Sequence, residues 1–139
     1  MTENYTKVII DTNIIFSSLL ASSSKLRDTL MKSDIIFYAP NYLFVEIFKY
    51  KEKILKYSKI DESEIYIILD TIISNINFIN MNFISVKNRQ KAYDLCKDID
   101  EKDLAFVALA LELNALLWTG DQKLRKGLES KNFGYFYNI

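Results

Sequence analysis

The chain has no histidine, a single cysteine and only three glycines among its 139 residues. Without histidine, a Ser-His-Asp triad, a Cys-His pair and a His-ligated zinc site are all excluded. The lone Cys96 cannot form an internal disulfide or a four-cysteine metal site, and its helical surroundings favour a buried apolar role. The glycines are dispersed, so there is no glycine-rich phosphate loop. The remaining carboxylates, hydroxyls, amides, lysines and tyrosines favour oxygen-ligated hard cations.

Long apolar runs and an excess of either charge are also lacking. No apolar run reaches the roughly 18–20 residues needed to cross a bilayer. The start of the chain does not have the basic-then-apolar pattern of a signal peptide. We therefore expect a cytoplasmic protein with no membrane partner. Lysine plus arginine and aspartate plus glutamate number 18 each, which counts against a DNA-coating protein but less against an enzyme whose metal ions add positive charge.

Apolar runs alternate with amphipathic segments along the chain. Strands are predicted at 7–10, 35–39, 77–84, 115–119 and 135–137. Helices are predicted at 14–21, 25–32, 41–57, 61–74, 85–98, 100–113 and 121–131, with Ser24 and Asp61 as N-caps. Apolar strands that are each followed by a helix indicate a parallel sheet covered on both faces. The sequence thus predicts one α/β domain over residues 1–139, a three-layer α/β/α arrangement around a mostly parallel sheet.

Four carboxylates stand in or beside the most apolar segments. Asp11 is the only charged residue between residues 7 and 25, and Glu46 is the only one between residues 34 and 49. Asp103 and Asp121 flank the segment 104–120, in which only Glu112 is charged. An ionised carboxylate in such surroundings is destabilising unless something pairs with it.

These acids follow predicted strands or begin predicted helices. Because the carboxyl ends of parallel strands meet at one edge of the sheet, the four side chains are expected to converge on one cleft. Their mutual repulsion would raise some of their pKa values, and a divalent cation would remove that penalty. A bound divalent metal activates water and stabilises charge on a phosphate, so such a cleft suits hydrolysis of a phosphodiester.

Each acid also has a structural interpretation. Asp11 suits an Asx-turn, and Glu46 can pair with a lysine from another element. Asp100 fits a helix N-cap better than a ligand, Asp103 would be stabilised by the helix macrodipole, and Asp121 can cap the last helix. Taken singly, none of the five is specific. The functional hypothesis depends on four of them, Asp11, Glu46, Asp103 and Asp121, occurring together in this order.

The residues that carry a family resemblance are Val8-Ile-Ile-Asp-Thr-Asn13, Glu46 on a helix, the run 102–110 and Trp118-Thr-Gly-Asp121. Over nearly the whole chain this order resembles the PIN domain. The resemblance implies a Mg²⁺- or Mn²⁺-dependent ribonuclease that acts on single-stranded or structured RNA. It implies a metal site and catalytic set made of Asp11, Glu46, Asp103 and Asp121. It also implies that Asn13 and Thr119 orient a ligand or water, with Asp100 as an additional acid.

Partners follow from the same resemblance. Many small PIN domains resemble the toxin half of a toxin–antitoxin pair and form homodimers, so an antitoxin protein and a second copy are expected. The motif Thr119-Gly-Asp121 departs from the Thr-Asn-Asp of many toxins while keeping the carboxylate. Lys49, Lys53 and Lys123 are candidate RNA contacts, with a solvated polar face as the default interpretation. The aromatic residues mostly fall at core spacing and are not interpreted as base-stacking platforms.

Other classes compete with this hypothesis. A catalytically inactive PIN-like module would bind RNA or protein without cutting, and the presence of all four acids argues against it. A haloacid-dehalogenase-type phosphatase requires a second aspartate two positions after the first, where this chain has Asn13. A phospho-receiver domain expects paired acids after its first strand, and that pattern is absent as well.

Overall fold

A four-stranded parallel sheet runs through the centre of the protein, with the strand order β3-β2-β1-β4. The computed structural model describes residues 5–21 and 24–139. Neighbouring strands pair through the registers Val8–Phe37, Ile9–Leu117 and Ala39–Phe78. The strands are β1 (Thr6–Ile10), β2 (Ile35–Pro40), β3 (Ile76–Ile79) and β4 (Leu116–Trp118).

Helices cover both faces of this sheet. They are α1 (Thr12–Leu20), α2 (Lys25–Leu30), α3 (Tyr42–Tyr57), α4 (Glu62–Ser74), α5 (Val86–Cys96), α6 (Leu104–Leu113) and α7 (Gln122–Ser130). Successive side chains of a strand point to opposite faces. Val8 and Ile10 of β1 accordingly join a core cluster with α1 to α4, while Ile9 joins a second cluster with α5, α6 and α7. The predicted three-layer α/β/α arrangement is confirmed.

Several boundaries differ from the prediction for local reasons. The strand expected at 77–84 ends at Ile79, because the Asn80 side chain accepts the Asn82 N–H and starts a 3-10 turn over Met81–Phe83. The helix expected at 100–113 is divided into a 3-10 turn, Glu101–Asp103, and α6. The strand expected at 135–137 is reduced to one parallel bridge between residues 117 and 136.

The predicted helix caps were right in one case and wrong in the other. The Ser24 hydroxyl accepts a hydrogen bond from the Arg27 N–H at 3.2 Å, as expected for an N-cap. Asp61 lies at the N-cap position of α4 but makes no side-chain capping bond, so that part of the prediction was wrong.

The carboxylate of Glu112 ties α6 to α5. One of its oxygens accepts the Ser85 N–H, and the other accepts the Asn88 amide at 3.1 Å. Because Ser85 is the N-cap of α5, this acid of α6 satisfies backbone at the start of a neighbouring helix. Its isolation in an apolar stretch therefore has a structural explanation. Within the described ranges, no helix combines the length and apolar character needed to cross a membrane.

Gly127 of α7 packs against Ile99 so closely that a methyl group has no room. A Cβ built at Gly127 would lie 2.5 Å from Ile99 Cδ1 and 2.8 Å from its Cγ1. We expect Gly127→Ala to lower the free energy of unfolding by about 1–3 kcal/mol through overpacking. In an Ile99→Ala background the same change should stabilise the protein by up to about 1 kcal/mol, because alanine is the better helix former. Urea unfolding of the four proteins measures the coupling, and additive effects would contradict the predicted contact.

Candidate active site

The acids meet at the carboxyl edge of the sheet, between β1 and β4. From β1 the sheet extends through β2 to β3 in one direction. The last strand, β4, pairs with the opposite edge of β1. Such a reversal opens a crevice beyond the carboxyl ends of β1 and β4. Asp11 directly follows β1, and Thr119 and Asp121 follow β4, so all three border this crevice.

Asp11 is buried, with only 5 % of its surface exposed. Its Oδ2 accepts the Thr119 hydroxyl at 2.6 Å, and its Oδ1 accepts the Asn13 N–H at 3.2 Å. Burial raises the pKa of Asp11, the hydrogen bonds from Thr119 and Asn13 oppose that rise, and the charge of Asp121 adds to it. The bond to Asn13 caps α1, so the Asx-turn interpretation is correct for one oxygen. It does not account for the other oxygen, which faces β4.

Thr119 connects two of the acids. Its hydroxyl donates to Asp11 and accepts the Asp121 N–H at 3.1 Å. Asp121 in turn caps α7, because its Oδ1 accepts the N–H groups of Lys123 and Leu124 at 3.0 and 3.1 Å. The capping interpretation of Asp121 is therefore correct. It engages one carboxylate oxygen, which leaves the second for other chemistry.

Glu46, in the second turn of α3, is held by a residue that the sequence did not indicate. Thr12 is buried at the start of α1 and donates its hydroxyl to Glu46 Oε1 at 3.0 Å. Burial raises the pKa of Glu46 and the charge of Asp11 adds to this, while Lys49 and Lys102 oppose it. Among the described residues, however, no ion pair includes Glu46. The expected pairing of Glu46 with a lysine therefore holds only as electrostatic attraction at a distance longer than that of an ion pair. Thr12 is separated from Glu46 by 34 positions, so no local pattern could have revealed the contact.

Asp103 is the most perturbed acid of the site. Its Oδ2 is buried and, among the described atoms, has no hydrogen-bond partner. Its pKa is raised to about 7, mainly by burial and further by the charges of Asp11, Asp100, Asp121 and Glu46 in that order. Asp103 stands at the N-cap position of α6 without making a capping bond. Stabilisation by the helix macrodipole therefore does not give this carboxylate a hydrogen-bond donor.

Asp100 behaves as the N-cap interpretation expected. Its side chain accepts the Lys102 N–H at 3.0 Å and starts the 3-10 turn before α6. Its charge nevertheless acts on Asp103.

The lysines divide into two groups around this site. Lys49 and Lys102 act electrostatically on Glu46, and Lys53 lines a groove that Glu46 shares. Lys123 is exposed at the start of α7, where its backbone rather than its ammonium group contacts an acid.

The four acids repel one another across the crevice but are not drawn into a tight cage. Within residues 5–21 and 24–139, no three acidic or cysteine side chains are arranged to hold a metal ion together. Mg²⁺ usually binds one or two carboxylates, completing its octahedral shell with water and substrate phosphate. The arrangement therefore suits a partly hydrated Mg²⁺ better than an ion such as Zn²⁺ in a closed protein site.

The raised pKa of Asp103 generates a pH-dependent prediction for the metal-free protein. Between pH 4 and 7 the folded state holds a proton that the unfolded state has lost, so stability falls as the pH rises and levels off above the folded pKa of about 7. We expect Asp103→Asn in EDTA to raise the free energy of unfolding at pH 8 by on the order of 2 kcal/mol, with little change at pH 4. Urea unfolding at both pH values measures this difference. Asp70→Asn, at an exposed position of α4, is the control, and equal pH slopes in Asp103→Asn and wild type would contradict the assignment.

Comparisons with known proteins agree with this geometry. The sequence matches the family model of the PIN domain over residues 9–134. The fold resembles PAE2754 from Pyrobaculum aerophilum, with 10 % identity, 94 % of this chain and 95 % of that chain covered, and a TM-score of 0.60. It also resembles VapBC2 from Rickettsia felis, solved bound to a DNA fragment from their promoter, with 18 % identity, 87 % and 92 % covered, and a TM-score of 0.61. No curated protein sequence matches significantly. The chain belongs to the PIN domain family, whose members are generally nucleases that use divalent metal ions.

Proposed function

We propose that this protein is a Mg²⁺- or Mn²⁺-dependent ribonuclease that hydrolyses RNA phosphodiester bonds at the carboxyl edge of its sheet. The observation that carries the proposal is the buried, unpartnered Oδ2 of Asp103, which faces the charges of Asp11, Glu46 and Asp121. Such a carboxylate destabilises the protein unless a cation accompanies it. An oxygen-only donor set of this kind fits hard divalent ions.

Asp11, Glu46, Asp103 and Asp121 are the residues that would hold the metal, one or two of them directly and the others through its bound water. When bound, a divalent ion at such a site supplies an activated water and neutralises charge on the phosphate. Two threonines prepare the site for this role. Thr119 fixes one oxygen of Asp11, and Thr12 fixes one oxygen of Glu46, so both carboxylates are oriented before any ligand arrives.

The chain's own protons and cations complete the arrangement. Because its pKa is raised to about 7, Asp103 exchanges a proton near neutral pH in the metal-free protein. Lys49 and Lys102 place positive charge beside Glu46, where the phosphates of an incoming RNA strand would lie. The protein therefore attracts the substrate backbone locally although its formal net charge is zero.

An antitoxin protein is the partner that we infer for this nuclease. The similarity in fold to VapBC2 supports this, as does the family resemblance of the sequence. We place the enzyme in the cytoplasm, where it would act on cellular RNA, and we expect it to form a homodimer.

The rival hypothesis is a PIN-like module that binds without cutting. Such a module has no use for four repelling carboxylates, two of which are raised in pKa mainly by burial while a third keeps an oxygen without a partner. Their retention lowers stability unless the site binds a cation, and this favours the enzyme.

Asparagine substitutions test the site while keeping the helix caps. In Asp11→Asn and Asp121→Asn the amide oxygen can still accept the capping N–H groups now bound by Oδ1. We expect both variants to fold like the wild type and to lose cleavage of a single-stranded RNA panel in Mn²⁺ or Mg²⁺. The wild type should lose cleavage in EDTA, and Asp70→Asn should remain active. Full activity of both site variants would refute the proposed site. No wild-type cleavage with either metal, together with thermal stability indifferent to metal, would favour the binding module.

Thr12 provides a separate test, since it acts through Glu46. We expect Thr12→Val, which keeps the shape but removes the hydroxyl, to lower kcat/KM by roughly 10- to 100-fold and to weaken metal activation. Thr12→Ser should restore both properties, because it returns the hydroxyl. Cleavage assays over a Mn²⁺ titration, alongside urea unfolding, measure the effect. A loss in Thr12→Val that matches only its loss of stability would mean that Thr12 is merely structural.

A further inference from the structure

A groove of about 470 Å³ opens between α1 and α3 beside the acidic site. Asn13 and Glu46, near the starts of the two helices, form the end next to the crevice, and Tyr57 at the end of α3 lies at the far end. We propose that this groove binds an unstacked nucleobase of single-stranded RNA, next to the phosphate held at the acids. The inference rests on the proposed function, which it extends from the reacting phosphate to the neighbouring nucleotide.

Aromatic rings form much of the groove wall. Tyr50 is only partly buried, and its ring meets that of Phe16 edge to face at a centroid distance of 5.3 Å. Tyr57 is 60 % exposed. These two tyrosines therefore lie outside the buried core, although most aromatic residues were expected at core spacing and none was interpreted as a base-stacking platform. A base stacks on such rings whatever its sequence, because every base has a π-face.

Lysines alternate with these rings along α3. The ammonium group of Lys49 lies 5.4 Å from the ring centroid of Tyr50, and that of Lys56 lies 5.4 Å from the ring centroid of Tyr57. Lys53 lines the groove between them. Lys49, Lys53 and Lys56 fall at i, i+4 and i+7, which places them along one side of the helix. Cations beside stacking rings are the combination that tracks the backbone of a single strand.

The groove suits a nucleotide better than a segment of a partner protein. Its volume lies within the roughly 300–1,000 Å³ of small-ligand pockets. A polypeptide covering it would desolvate Glu46 and Lys53 and would have to supply a cation for the one and an anion for the other. A nucleotide supplies an apolar ring for Tyr50 and Tyr57 and an anionic phosphate for the lysines. The Asn13 amide, which can both donate and accept, lies where it could contact the edge of the base.

Binding in EDTA tests the groove without requiring cleavage. The probe is a fluorescent eight-nucleotide RNA at low salt, in an intact form and in a form whose central nucleotides lack their bases. The proteins are wild type, Tyr50→Ala and Tyr57→Ala, with Tyr93→Ala as the control because it removes an exposed tyrosine from α5, a helix of the opposite layer. Tyr57 is exposed enough that its removal should leave the fold intact, which circular dichroism checks for every variant.

We expect each groove variant to raise the Kd for intact RNA by roughly 5- to 150-fold, the effect of losing one stacked base. The Kd for the abasic RNA should change little, and Tyr93→Ala should change neither. A larger effect on intact RNA than on abasic RNA would show that the tyrosine ring contacts the base itself. Equal weakening of both RNAs, or an unchanged Kd for intact RNA in Tyr57→Ala and Tyr50→Ala, would overturn the proposal and leave the groove to a protein partner.

The failure of the groove and the failure of the nuclease are separable. If the wild type cleaves RNA and Asp11→Asn does not, but the tyrosine variants bind and cut normally, the groove assignment fails and the nuclease stands. If nothing is cleaved but the ring–base coupling appears in EDTA, the base site stands and the hydrolytic function fails.

Discussion

The carboxylate of Asp11 lies buried at the carboxyl end of β1, fixed by one hydrogen bond from Thr119, just after β4, and one from the start of α1. This position constrains much of what surrounds it. A parallel sheet brings the ends of β1 and β4 together, and the backbone reinforces that junction because the Asp11 N–H donates to the Trp118 carbonyl at 3.1 Å. A carboxylate enclosed in this way has lost most of its hydration, and among the described residues no ion pair includes it. The charge of Asp121 adds to the resulting electrostatic penalty.

The electrostatic penalty is divided unequally among the acids of the site. Burial raises the pKa values of Asp11, Glu46 and Asp103, and the acids raise one another further. Two of the three are partly relieved by threonine hydroxyls, whereas Asp103 keeps an oxygen without a partner among the described atoms. The fold thus holds the metal-free site in an unfavourable state, and binding a divalent cation would convert part of that strain into metal affinity. The same features that weaken the metal-free fold favour the proposed chemistry.

The lysines of α3 follow Glu46 toward the end of that helix, whereas Lys102 stands between Asp100 and Asp103. On α3, Glu46 is followed by lysines that alternate with tyrosines, among them Lys49, Lys53 and Lys56. One helix therefore carries an acid near its start and cations beyond it. A substrate with an anionic backbone and flat bases matches this order of groups along α3. Its phosphate would lie toward the acids and its base toward the tyrosine rings. The formal neutrality of the chain is therefore compatible with a local group of lysines beside the acids.

Much of this was available from the sequence, because it depends on local rules. Apolar strands followed by helices predicted the parallel α/β sheet, and the lone acids after β1 and β4 predicted the edge at which the proposed site lies. Caps such as Ser24, Asp100 and Asp121 were also legible, since a cap joins residues only two or three positions apart. Where the local signal was weak, the boundaries shifted, as in the short β3 and the divided helix around Asp103.

What the sequence could not decide depends on contacts between distant segments. Thr12 and Glu46 are 34 positions apart, and Thr119 and Asp11 are 108 apart, so their hydrogen bonds exist only once the sheet has assembled. The burial of Asp103, which controls its pKa, and the exposure of Tyr57, which opens the aromatic groove, are likewise set by neighbouring elements. Periodicity fixes the face on which a side chain lies. Only tertiary packing determines whether that face is covered, and by what, and the chemistry of this site depends on both.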